Sequence, residues 1–305
     1  MTSRRTVVVT GANSGIGYQT ALYFARAGAH VEMACRNMAK ADQAARAIRE
    51  EVPDASTTTL PLDVSELRSV HEFARLFDEQ VGELDVLINN AGVAALPLAR
   101  NSVGHELQFA TNHLGGFALT GALLPYFAKD RKGRIVNLGS LAHRFGKLDL
   151  DDLNWQTARY DHWKAYANSK VAVLSHALEL NRRLRKAGSN VSALAAHPGF
   201  ANTEMNQKSE LLRPKTAFKR WYTKHMAKVI PSAALAARSV IRAATADDVR
   251  GGEYIGPSGL FELGGSPGKA RVNPLAADIQ LAARLWAASE TLADVRYLSA
   301  HDPRA

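Results

Sequence analysis

Short runs of β-branched and apolar residues alternate along the chain with longer stretches whose apolar positions recur at helical spacing. Thr6-Val-Val-Val-Thr10 has no polar break in its middle and reads as a buried strand. An amphipathic helix follows to about Ala27, and Gly28 is placed to end it. His30 to Cys35 predicts a second strand, Met38 to Glu50 an alanine-rich helix, and Thr57 to Leu62 a third strand ending at Asp63. Ser65 is read as the cap of the next helix. Leu84-Asp-Val-Leu-Ile88 predicts a fourth strand, running out in Asn89-Asn90-Ala91-Gly92. A helical stretch from about Val103 to Lys129 crosses to Arg134-Ile-Val-Asn-Leu138, and a helix around Tyr166 leads to a sixth strand, Asn190 to Ala196. That strand ends in His197-Pro198-Gly199; a last short strand is expected near Glu253-Tyr-Ile-Gly256, and a helix from about Pro274 to Leu292.

Strands alternating with helices imply βαβ crossovers: an α/β fold, doubly wound, with helices on both faces of a parallel sheet. No break divides the pattern, so residues 1–305 read as one domain. Within it, about 257–305 reads as a C-terminal helical extension.

Composition narrows the class. The 305 residues are 46% hydrophobic and 22% charged, which is globular and supplies a large core. The single cysteine, Cys35, excludes an internal disulfide and suits a reducing cytoplasm. The first residues run straight into a strand with no apolar signal segment, and no stretch approaches the ~20 apolar residues of a membrane span. Lys+Arg 38 against Asp+Glu 29 gives +9 without the clustering of a nucleic-acid tail. The expectation is a polyanionic ligand or at most peripheral contact with an anionic surface. His143, His162, His176 and His197 have no metal-ligand spacing, so no metal is expected.

Three patterns carry chemistry. Strand, glycine turn and helix form the context of a dinucleotide fingerprint, here spaced Gly11-x-x-x-Gly15-x-Gly17. Gly11 allows the turn, Gly15 the approach of a pyrophosphate, and Gly17 the close packing of helix on strand. At the end of the second strand, where an acidic residue would bond a ribose 2′-hydroxyl, stand Cys35, Arg36 and Asn37. Arg36 offers a fork of donors suited to a 2′-phosphate, so NADP(H) is favoured, with NAD(H) possible. Tyr166 and Lys170, four apart, share one helix face, where an ammonium favours the phenolate and draws its pKa down from about 10.

Taken in order, these residues resemble the short-chain dehydrogenase/reductase family, with a Rossmann-type sheet, over roughly Arg5 to Thr203. The resemblance rests on Thr10-Gly11-Ala-Asn13-Ser14-Gly15-Ile16-Gly17, Asp63, Asn89-Asn90-Ala91-Gly92, Asn112, Ser140, Tyr166-x-x-x-Lys170 and Pro198-Gly199. It implies cofactor contacts from that glycine loop, from Arg36 and Asn37, and from Asp63 and Val64 at the adenine. Asn90, Ala91 and Gly92 would line the crevice, with Pro198, Gly199 and Thr203 at the carboxamide. Lys170 would also bond the nicotinamide ribose. Catalysis would fall to Tyr166 as proton donor and acceptor, Lys170 as its modulator, Ser140 on the substrate oxygen, and Asn112 holding a relay water.

Ala34-Cys-Arg-Asn37, Asn112-His-Leu-Gly115, Ser140-Leu-Ala-His143 and Arg284-Leu-Trp-Ala-Ala-Ser-Glu290 resemble the retinol-dehydrogenase and WW-domain-oxidoreductase branch. One departure is Gly139, where many relatives have a first serine. The membrane anchor of many retinol dehydrogenases is expected to be missing. The implied reaction is hydride transfer between nicotinamide and a carbonyl or alcohol, on a small lipophilic substrate such as an aldehyde, ketone, retinoid or steroid. A homodimer or tetramer through the helices near Asn112 and Tyr166 would suit the family. The resemblance places a substrate-lid region at about 200–230, and there Phe218, Trp221, Tyr222, Met226 and Val229 form an apolar stripe between Leu211 and Ile230, read either as a lid over that substrate or as an ordinary surface helix packed on the sheet. Two other readings are a non-catalytic NADP(H)-binding sensor or scaffold on this fold, and a sugar epimerase or dehydratase. The retained Tyr166 and Lys170 weigh against the first, the glycine spacing and the short substrate region against the second.

Overall fold

The computed structural model describes residues 4–199 and 232–298. Seven parallel strands run β1 (Thr6–Thr10), β2 (His30–Cys35), β3 (Ser56–Pro61), β4 (Val86–Asn89), β5 (Gly133–Leu138), β6 (Val191–Ala196) and β7 (Tyr254–Pro257). An eighth, β8 (Pro267–Lys269), pairs antiparallel to β7. Their spatial order is β3-β2-β1-β4-β5-β6-β7-β8, so the chain builds outward from β1, then returns to lay β4 on its other side. That reversal opens a crevice at the carboxyl ends of β1 and β4, the place where open α/β sheets bind ligands.

Successive β1 side chains feed opposite cores, as the pleat requires. Val7 and Val9 pack with helices α1 (Gly15–Arg26) and α2 (Met38–Glu51). Val8 packs on the other face with α3 (Leu67–Gln80) and the helices beyond it. Gly28 follows α1 at φ +79°, the left-handed position expected of it.

Several elements differ from the sequence expectation. Ser65 does not cap α3: Glu66 holds that position, and the Ser65 hydroxyl donates instead to Asp63 Oδ1 at 2.6 Å. The helix expected from Val103 begins only at α4 (Leu107–Phe109), where the Glu106 carboxylate accepts the Gln108 and Phe109 amides. It widens into a π turn over Ala110–Leu114, continues as α5 (Gly115–Leu123), and ends in a 3₁₀ turn, Leu124–Tyr126, at Pro125.

The Tyr166 helix is α6 (His162–Lys186), whose N-cap Asp161 accepts the amides of Trp163 and Lys164. Helix α7 (Ala233–Thr245) and strand β8 are additions to the expected set. The C-terminal helix is two, α8 (Pro274–Ala277) and α9 (Ile279–Ala293), because Asp278 ends the first and caps the second. Among the described residues no helix is long and apolar enough to cross a membrane. The proposed lid from Leu211 to Ile230 lies outside the described residues.

Candidate active site

The glycine loop after β1 lies against the end of β4. Gly11 and Gly15 take φ of +66° and +57°, open to glycine at little cost. A Cβ on Gly17 would fall 2.3 Å from the Gly11 carbonyl oxygen and 2.6 Å from Asn90 Nδ2, so only glycine lets α1 come this close. A Cβ on Gly15 would meet nothing within 4 Å, which leaves its backbone clear for approach. Ser14 caps α1 in extended geometry without turning its hydroxyl back onto the helix, and Ile16 anchors the first turn in the core.

Thr10 joins the two strand ends. Its hydroxyl accepts the Asn90 and Ala91 amides, each at 2.9 Å, while Asn90 Nδ2 donates to the Thr10 carbonyl at 2.7 Å. Thr10 stands in the glycine motif but its bridging role is not visible in sequence.

At the far edge of the loop Arg36 extends into solvent, 76% exposed, with its guanidinium 3.5 Å from Asp63. Asn37 is occupied as the cap of α2, its Oδ1 accepting the Lys40 amide at 3.0 Å. Cys35 lies buried beneath the loop, against the backbone of Ala12 and Asn13, and burial raises its thiol to about 11. Val64 is also buried, and its carbonyl occupies the space a Cβ would need at Gly115, 1.8 Å away.

Deeper in the crevice Ser140, Tyr166 and Lys170 come together from β5 and α6. The Ser140 hydroxyl lies near enough to the Tyr166 phenol to pull its pKa down, while Ser140 Oγ accepts the Ala142 amide at 3.2 Å. Burial raises the Tyr166 phenol above its ordinary value and outweighs the opposing pull of Ser140. The expected lowering by Lys170 does not set the balance here. The Lys170 ammonium donates to the Leu138 carbonyl at 2.8 Å and stands 5.8 Å from the Tyr166 ring centroid. Burial lowers Lys170 itself to about 8.

Asn112 sits in the π turn with its side chain fully engaged. Nδ2 donates to the Val93 carbonyl at 2.9 Å and to Ser169 Oγ at 2.8 Å, and Oδ1 accepts the Val93 amide at 2.8 Å. Both amide hydrogens are therefore committed, so a relay water held by that NH₂ group does not fit. What Asn112 does is fix the loop after Gly92, whose missing Cβ would lie 2.9 Å from Oδ1 and 3.7 Å from Lys170 Nζ.

Gly139 has a spatial explanation. A Cβ there would fall 2.7 Å from the hydroxyl of Tyr254, a buried residue on β7 that donates to the Ser140 carbonyl at 3.4 Å. Tyr254 escaped the sequence reading, although the absent serine at 139 was its one trace. Pro198 and Gly199 follow β6 at the same end of the sheet, and Thr203 lies outside the described residues. Among the described residues no group of three or more His, Cys, Asp or Glu side chains is placed to hold a metal ion.

The family model for short chain dehydrogenases matches residues 5–211, spanning the loop, the crevice, Ser140 and Tyr166. The chain belongs to the short-chain dehydrogenase family. Within it the chain falls in the retinol-dehydrogenase-like branch. It is 47% identical to retinol dehydrogenase 13 of Homo sapiens over 203 residues, 67% of this chain and 61% of that protein. The Mus musculus protein of the same name is 39% identical over 291 residues, 94% of this chain and 83% of its own. The matched stretch thus spans less than two thirds of the human relative.

Among solved structures, an uncharacterised protein from Mycobacterium paratuberculosis superposes with a TM-score of 0.79 at 39% identity, covering 97% of this chain and 95% of that one. Salutaridine reductase from Papaver somniferum shares the fold at a TM-score of 0.63 and 20% identity, over 82% of this chain and 99% of its own. Family membership implies a nicotinamide dinucleotide, NAD or NADP. The clear approach at Gly15 and the uncommitted Ser14 hydroxyl at the positive end of α1 fit its pyrophosphate.

Proposed function

We propose that this short-chain dehydrogenase moves a hydride between a nicotinamide cofactor and a carbonyl or alcohol carbon of a lipophilic, retinoid-like substrate, with NADP(H) favoured over NAD(H). The observation that carries it is Tyr166 beside the Ser140 turn, with buried Lys170 one helical turn along, 5.8 Å from the Tyr166 ring and bonded to the Leu138 carbonyl. The cofactor supplies or accepts the hydride when bound, and the protein manages one proton. In this reading Ser140 holds the substrate oxygen and Tyr166 gives it a proton in reduction, or takes one in oxidation. Burial keeps the phenol protonated at neutral pH, the form that acts as an acid. Lys170 holds the nicotinamide ribose and brings a positive charge to the phenolate as it forms.

Two features support the finer assignments. Arg36 is a mobile-length, exposed cation at the end of β2, where a 2′-phosphate would meet it. Large apolar side chains stay exposed beside the Ser140 turn: Phe145 on that turn, and Leu260 and Phe261 on the β7–β8 hairpin. The hairpin is tied to the turn by Arg144, which donates to the Phe261 carbonyl at 3.2 Å. Retinol dehydrogenases, by name, act on an extended apolar alcohol, which such a rim would accept.

A paired NADPH and NADH screen over aliphatic aldehydes, ketosteroids and retinal tests the reading. Turnover is expected with at least one lipophilic carbonyl, faster with NADPH, and lost in Tyr166→Phe. Cofactor binding without turnover on any carbonyl or alcohol would instead favour a cofactor-binding sensor.

A further inference from the structure

The Glu262 carboxylate, together with the Arg144 bond to the Phe261 carbonyl, holds the tip of the β7–β8 hairpin against the candidate site. Glu262 is nearly enclosed and accepts from three separate segments of the chain. Its Oε2 accepts Arg144 at 2.7 Å and His197 Nε2 at 3.1 Å, and its Oε1 accepts the Arg271 amide at 3.0 Å. The His197 tautomer follows from its other nitrogen. The Gly199 amide donates to Nδ1 at 3.2 Å, so Nδ1 is an acceptor and Nε2 carries the hydrogen that reaches Glu262. Burial lowers His197 to about 4, which leaves it in that neutral form at pH 7.

Two partners of Glu262, His197 and Arg144, belong to turns beside the crevice. His197 opens the His197-Pro198-Gly199 turn after β6. Arg144 lies in the 3₁₀ turn Leu141–Phe145, which Ser140 caps. The hairpin packs directly on the first of these turns: a Cβ on Gly199, at φ +72°, would fall 2.6 Å from the Leu263 carbonyl and 3.0 Å from that of Glu262. Phe261 and Glu262 themselves hold φ of +52° and +61°, left-handed values that non-glycine residues adopt only where the surroundings impose them. Side-chain contacts impose them here, since Arg144 grips both the Phe261 carbonyl and the Glu262 carboxylate.

We propose that Glu262 is a positioning residue that fastens the His197–Gly199 turn to the Ser140–Phe145 turn and so shapes the wall that meets the nicotinamide end of the cofactor. This inference rests on the dinucleotide reading above and adds to it a residue that touches neither cofactor nor substrate. Loss of the carboxylate leaves the buried His197 N–H without its acceptor and Arg144 without its counter-charge, so the two turns lose their common anchor. Among the described residues the glycine loop and Arg36, at the adenosine end, have no hydrogen bond or ion pair with this network and are expected to keep their geometry.

Fragment binding separates this role from a general loss of structure. Calorimetry would compare NADP+ with 2′-phospho-ADP-ribose, and NAD+ with ADP-ribose, each fragment lacking the nicotinamide ring. In Glu262→Ala the full dinucleotide is expected to bind about tenfold more weakly or worse, with the fragment within about twofold of the unmodified protein. Glu262→Gln, which keeps one carbonyl acceptor, is expected to fall between. Should Glu262→Ala not fold, Arg144→Met removes the outermost partner alone, and the same split, at about threefold, is expected. Parallel weakening of dinucleotide and fragment, or no change in either, would overturn the inference while leaving the dinucleotide reading intact. No dinucleotide binding by the unmodified protein would overturn both.

Discussion

The ring of Tyr254 fills the place that a side chain at residue 139 would take: a Cβ on Gly139 would start 2.7 Å from its hydroxyl. A serine at 139 therefore cannot be added to this chain without moving a fully buried tyrosine. We expect Gly139→Ser to lose about 1–3 kcal/mol of stability, the usual cost of overpacking, and to lower the melting temperature. Gly139→Ser combined with Tyr254→Leu is expected to recover part of that loss. Thermal melts of the two variants check this, and a Gly139→Ser protein as stable as its parent would contradict the packing described.

Tyr166→Phe keeps the ring and removes the proton, so turnover is expected to fall by about 10²–10⁴-fold while the cofactor still binds. Lys170→Ala is expected to damage both turnover and cofactor affinity, since in the proposed mechanism it would remove the ribose contact along with the charge. Steady-state kinetics alongside cofactor titration distinguish the two patterns. Near-normal turnover in Tyr166→Phe would remove the tyrosine from the mechanism.

Cofactor choice is expected to rest on Arg36. Its guanidinium is now 3.5 Å from Asp63 and otherwise in solvent, free to meet a phosphate. Arg36→Leu should weaken NADP(H) by about 1.5–3 kcal/mol, roughly 10- to 150-fold, and NAD(H) far less. Equal affinity of the unmodified protein for the two cofactors would show that Arg36 selects neither.

Acid should unfold this protein partly through His176. The ring is buried between Phe117 and Trp286, its Nε2 is 3.0 Å from the Tyr297 hydroxyl, and burial lowers its pKa to about 3. Unfolded, it would titrate near 6.5, so between those values the unfolded chain binds more protons than the folded one. Its contribution is intact above about pH 6.5 and is lost as pH falls toward 3, at up to about 1.4 kcal/mol per pH unit. Neighbouring His113, also lowered by burial, acts in the same direction. Urea denaturation at pH 7.5 and pH 5 is the check: the midpoint should drop at pH 5, and less in His176→Gln.

The strands were legible because the pleat leaves a plain mark: Val7, Val8 and Val9 all face cores, so no polar residue interrupts them. The glycine turn was legible for the same local reason, since Gly11 and Gly15 need backbone angles that other residues resist. The positions where reading and structure part company are tertiary. Ser65 is the better cap by residue type, but Asp63 takes its hydroxyl and the helix begins one residue later, after Glu66. β8 is three residues of Pro, Gly and Lys that become a strand only because β7 offers an edge. Asn112 was found by its motif, but its partners, Val93 and Ser169, are 19 and 57 residues away in the chain. Glu262 left no sequence signal, for two of its three partners, Arg144 and His197, lie far away in the chain.

The π turn over Ala110–Leu114 closes with the Gly115 amide on the Ala110 carbonyl, one residue longer than an α-helical bond. The helix thus carries a spare residue, and that surplus sets its phase. Removing one residue from this turn would restore ordinary winding and rotate everything before it by about 100° relative to α5. Asn112 would swing away from Val93 while Gly115, in α5, stayed against Val64. Such a shortened chain is expected to hold its helix more comfortably and its crevice not at all. Length here is under the same constraint as residue identity, and an alignment gap at this point would signal a lost site even where every named side chain survives.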